Sequence, residues 1–72
     1  MFQIEKFAQR LKEMRAEFGE SQQTIAKLLG VSITQVSDLE NGKTTTTFER
    51  LVLLCEHFHV SADYLLGVKD ER

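Results

Sequence analysis

Twenty residues, from Gln22 to Asn41 (QQTIAKLLGVSITQVSDLEN), leave little freedom in how this chain can fold. They read as two short helices joined by a tight turn at Gly30, with Ser21 and Ser32 placed to cap the two starts. Ile25, Leu28, Leu29, Val31, Val36 and Leu39 put apolar side chains on one side of the pair. Val36 and Leu39 are three apart and both face inward, while Thr34 and Asp38 share the opposite side. Ala26 falls where the helices cross, and a larger side chain there would push them apart. Gly30 gives the turn a positive φ that other residues resist.

The rest of the chain supplies helices to cover that pair. From about Gln3 to Phe18, the residues Ile4, Phe7, Ala8, Leu11, Met14 and Phe18 recur at helical spacing. Gly19 stops this first helix, and Asn41-Gly42 stops the third. After Lys43, four consecutive threonines offer two starts for a fourth helix over about Phe48–His59: Thr46 in a capping box with Glu49, or Thr47 one residue later. Leu51, Leu54, Cys55 and Phe58 form its apolar face, and Leu53 falls off that face. Ser61 caps a short fifth helix, ADYLL, which stops at Gly67. With no proline and little β-type alternation, the fold class is all-α: five helices in one domain over residues 1–67, then a charged, frayed tail over 68–72.

Several functions are excluded on chemistry. No run approaches the roughly 18 apolar residues of a membrane span, and the N-terminus lacks a signal-peptide pattern. The single Cys55 forms no internal disulfide and fits a reducing cytosol, so a cytoplasmic location is expected. Its place on the packed face of the fourth helix makes it a core residue rather than a reactive thiol. His57 and His59 are two apart on a helix and diverge, so no metal site is expected. No nucleophile–base set is present, and the isolated glycines cradle no phosphate, so neither an enzyme nor a cofactor or small-molecule site is expected.

Ser21-Gln22, Ala26, Gly30, Val31-Ser32, Val36, Leu39 and Glu40-Asn41-Gly42-Lys43 together resemble the phage-repressor/Cro-like helix-turn-helix family, also called the xenobiotic-response-element family. Leu11-Lys12-Glu13-Met14-Arg15 before the motif, and Leu51, Leu54, Phe58, Val60-Ser61 and Asp63-Tyr64-Leu65-Leu66-Gly67 after it, extend the likeness over nearly the whole chain. The resemblance implies a compact five-helix lambda-repressor-like DNA-binding domain. Helices 2 and 3 would form the helix-turn-helix, with the third lying in the major groove of double-stranded DNA. It also implies an ion pair between Arg15 and Glu40, against the plainer reading of two solvated charges worth about 0–1 kcal/mol.

Site residues follow from the same likeness. Gln22 and the amides around it would meet a phosphate, as would Lys43 and Thr44 in the loop after the third helix. Base reading falls to Ser32, Ile33, Thr34, Ser37 and Asp38, with Asn41 at the far edge. Ile33 suits a thymine methyl, and an ionised Asp38, which can only accept, suits cytosine N4. Family dimers often meet through the C-terminal helices, which makes Val60, Tyr64, Leu66 and Val68 the candidates for a homodimer contact. Tyr64 is expected to be half exposed.

Charge tempers this reading. The net charge is −2, and the reading face carries no Lys or Arg. The deficit is local: residues 1–50 hold seven basic and seven acidic side chains, and the excess of acid begins at Glu56. A helix-turn-helix retained as a protein-interaction module, antitoxin-like or an anti-repressor partner, is the alternative. The acidic balance, Asp38 and Leu53 support it. The primary expectation is a DNA-binding transcriptional regulator acting on a palindromic operator as a homodimer.

Overall fold

Side-chain oxygens open four of the five helices. In a computed structural model describing residues 1–72, Ser21 accepts from the Thr24 amide and Ser32 from the Gln35 amide; Thr47 accepts from Arg50 and Ser61 from Tyr64. Each bond satisfies one of the donors that a helix start leaves free. The helices are α1 (Ile4–Glu17), α2 (Gln22–Leu29), α3 (Ile33–Glu40), α4 (Phe48–Phe58) and α5 (Ala62–Leu65), with no strand. Of the two threonine starts for α4, the structure uses Thr47.

Gly30 takes φ +70°, and its backbone N–H closes on carbonyls of the preceding turn, so α2 ends there and the chain turns into α3. The α4–α5 turn achieves the same without glycine: His59 adopts φ 57°, which ends α4 at Phe58 rather than at His59.

One core draws on every helix. Phe7, Leu11 and Met14 of α1 meet Ile25 and Leu29 of α2, Val36 and Leu39 of α3, Leu54 and Phe58 of α4, and Leu65 of α5. Leu28, Val31, Leu51 and Cys55 pack around its edge, half-buried. Burial pushes the Cys55 thiol pKa above its ordinary value, which keeps it protonated and unreactive. Phe18 departs from the expected apolar face of α1. It lies past the helix end, largely exposed, with its ring edge-on to Phe58 at 5.1 Å.

The C-terminal tail is docked rather than frayed. The Arg72 guanidinium donates to both carboxylate oxygens of Glu17 at 2.8 and 2.7 Å, and the Arg72 carbonyl accepts from the Ser61 amide. Arg10 donates to Asp70 at 2.6 Å and to the Lys69 carbonyl at 2.6 Å. These contacts fold the tail back along α1 and hold the carboxyls of Glu17 and Asp70 below their ordinary pKa.

That docking also corrects the reading of Tyr64. Its ring lies beneath Arg10, whose guanidinium carbon is 4.3 Å from the centroid, with Arg72 at 5.5 Å. Two cations against the ring cover it, and Tyr64 is 8% exposed. Val60 is equally buried. Neither side chain is available for the homodimer contact expected of it. Leu66 is half-buried and Val68 exposed.

Candidate nucleic-acid interface

The ends of α3 are fixed by two polar devices. At its start, the Ser32 hydroxyl accepts from the Gln35 amide, and the Gln35 side-chain oxygen accepts from the Ser32 amide at 3.0 Å. This closed capping box was legible as a Ser-x-x-Gln pattern, yet Gln35 was missing from the expected site residues. It is exposed beside Ser32 and Thr34, and its NH2 group remains free to donate outward.

At the far end, Glu40 is buried, its side chain 2% exposed. Arg15 Nε donates to Oε2 at 2.6 Å and Nη2 to Oε1 at 2.9 Å, a bidentate pair. Gln22 Nε2 donates to Oε1 at 3.1 Å, and Arg15 Nη1 reaches the Glu20 carbonyl at 3.0 Å. One carboxylate thus ties α3 to α1 and to the first turn of α2. The hydrogen bonds that Arg15 donates to Glu40 raise the Arg15 pKa above its already high ordinary value.

The Gln22 side chain is accordingly turned inward to Glu40, away from the expected phosphate contact. What α2 presents outward at this end is its backbone amides, with one N–H left on the Gln22 amide. Lys43 has no ion-pair partner, and Thr44 bonds only to the neighbouring Thr45 carbonyl.

Between these fixed ends, the outward side of α3 carries two ridges with a spacing of four: Ile33, Ser37 and Asn41, and beside them Thr34 and Asp38. Ser32, Ile33, Thr34 and Asn41 are exposed; Ser37 and Asp38 are partly covered. Asn41 Nδ2 donates to Ser37 Oγ at 3.3 Å, while the Asp38 carboxylate has no side-chain partner. The surface is a rigid, convex helix with an apolar prow at Ile33 and a single negative charge. Lys43 and Thr44 extend it into the following loop. His57, away from this face, pairs with Glu20 at 2.8 Å.

A helix-turn-helix family model matches residues 11–65, which takes in everything from the middle of α1 to α5. The chain belongs to the helix-turn-helix family. Its type is that of the phage repressors and Cro. The P22 c2 repressor, solved in complex with a synthetic operator, superposes with a TM-score of 0.80 and 28% identity, over 88% of this chain and 96% of that one. The restriction-modification controller protein C.AhdI of Aeromonas hydrophila is similar at a TM-score of 0.75 and 31% identity, over 86% and 94%. The HTH-type transcriptional regulator PrpR of Mycobacterium tuberculosis is 40% identical over 63 residues. That match spans 88% of this chain and only 13% of PrpR. In this helix-turn-helix protein α2 and α3 are the motif, and α3 occupies the place of the recognition helix. No helix is long and apolar enough to cross a membrane.

Proposed function

We propose that the chain is a cytoplasmic, homodimeric transcriptional repressor that binds double-stranded DNA at a palindromic operator. The observation that carries this reading is α3: a recognition helix locked at both ends, with an unobstructed outward face, in a protein of the phage-repressor type. Two copies of α3 would enter successive major grooves about 34–36 Å apart. Lys43, Thr44 and the amides at the start of α2 would hold phosphates and set the register.

Reading is then confined to a few side chains. Ile33 packs on a thymine methyl, and Thr34 offers a hydroxyl or its own methyl. Asp38 accepts from cytosine N4, and Asn41 and the free NH2 of Gln35 are amide donors on the same helix. With no arginine on the face, each half-site is read weakly. Affinity depends on the dimer and on DNA shape.

Asp38→Asn tests this directly. The substitution removes the one negative charge from the face and turns an acceptor into an amide suited to adenine. The expected result is about tenfold tighter nonspecific binding and loss of the cytosine preference, worth about 1–3 kcal/mol at that base pair. Titration of matched duplexes by fluorescence anisotropy measures both. Unchanged base preference, together with weakened capture of a protein partner, would instead support the protein-interaction module.

A further inference from the structure

An apolar groove lies away from α3, floored by the core residue Phe7 and not used by the reading face. Met1, Phe2, Phe48, Leu51, Leu66 and Val68 line it, with Thr45 and Thr46 at one edge. Phe48 is 87% exposed, Val68 68% and Phe2 48%, and Val52, one turn on from Phe48, is 54% exposed. These side chains come from the N-terminus, the start of α4 and the end of α5, so only the folded chain collects them.

We infer that this groove is the surface on which a second copy of the chain docks. The inference rests on the homodimer reading above and specifies its contact. Area is the first argument. The two phenylalanines alone leave roughly 270 Å² of apolar surface in water, and the valines bring the patch to about 450 Å². A standard interface buries about 800 Å² per partner, of which roughly 60% is apolar, or about 480 Å². The patch therefore matches what one side of a stable dimer requires.

Placement is the second argument. Lys43 and Thr44 leave α3 on the reading side, and the next residues, Thr45 and Thr46, edge the groove. Copies joined there carry one reading surface to either side of the common two-fold axis. Recognition helices about 34–36 Å apart exceed the longest dimension of one copy, 28 Å. Each α3 must therefore lie outboard of the contact. That is met here, because α3 packs on α1 and α2 and forms no wall of the groove. The buried Val60 and Tyr64 are replaced in this role by Phe48, Val52 and Phe2, while Leu66 and Val68 keep it.

Sedimentation equilibrium of the full chain, with Phe48→Glu and Val52→Glu, is the test. Both positions are exposed, so the variants keep the wild-type helical circular-dichroism spectrum as folded protomers. The wild type is expected to be a dimer at micromolar concentration, and each substitution to weaken it by about 100-fold or more. Phe48→Glu is also expected to bind a two-half-site duplex no more tightly than a single half-site. A wild-type dimer that survives both substitutions overturns this contact and leaves the homodimer reading standing. A wild type that is monomeric at all concentrations and binds two half-sites independently overturns both.

Discussion

Arg15→Met is expected to lower the thermal midpoint by roughly 12–24 °C, the largest stability change predicted for any exposed or half-exposed polar side chain in the molecule. Glu40 lies buried against α1 and α2, and its carboxylate is held by two guanidinium bonds and one amide bond. Methionine fills the space of the arginine stem and leaves the charge with Gln22 alone. Stranding one partner of a buried pair costs about 3–5 kcal/mol, whereas the intact pair is worth far less against an apolar replacement of both. The lower end, about 3 kcal/mol, is appropriate because Gln22 remains. Glu40→Gln is expected to cost less, because the Arg15 side chain keeps 18% exposure and its bond to the Glu20 carbonyl. Circular-dichroism melts give the order: wild type, then Glu40→Gln, then Arg15→Met. A drop of less than about 3 °C for Arg15→Met would mean that the pair does not hold α3 in place.

The second large effect is on binding. Raising the salt concentration from 50 to 200 mM is expected to weaken operator binding by roughly 10- to 20-fold. This is shallower than the 10³–10⁵ of proteins with many phosphate contacts, because the reading surface offers few cations. Lys43 is the free lysine in the loop after α3, and two copies in a dimer give a log–log slope near −2, with the amides of α2 adding no counterion release. Lys43→Ala should then weaken all duplexes alike and flatten the slope by about 1 per protomer. Anisotropy titrations at four salt concentrations measure both quantities. Affinity that is independent of salt would remove phosphate contact as a driving force.

How far these features can be read without coordinates depends on the sequence distance over which they act. The caps at Ser21, Ser32 and Ser61 join atoms three residues apart, and a local pattern suffices to find them. The turn at Gly30 is legible for the same reason. Choosing between Thr46 and Thr47 was beyond a local pattern, since both satisfy the same chemistry. The Arg15–Glu40 pair spans 25 residues and was suggested only by the family likeness. Nothing local announces that Gln22 joins them across 18 residues.

The tail and Tyr64 lie at the far end of this scale. Arg72 reaches Glu17 across 55 residues and Arg10 reaches Asp70 across 60, so a charged C-terminal run looks solvated until the chain has folded. Once those arginines are in place they cover Tyr64, and a residue that looked half exposed becomes core. The groove beside Phe48 is hidden in the sequence for a related reason. Phe2, Phe48 and Val68 are isolated apolar residues in three separate segments, each unremarkable by itself.

Selection of bound duplexes from a random pool bears most directly on the claim that α3 reads DNA in a symmetric pair. The result predicted is convergence on two inverted half-sites whose centres lie about 34–36 Å apart. Cytosine should be fixed at the position facing Asp38, and a thymine at the one facing Ile33. A pool that remains random after successive rounds, at low salt and with dimeric protein, would contradict DNA reading by this helix.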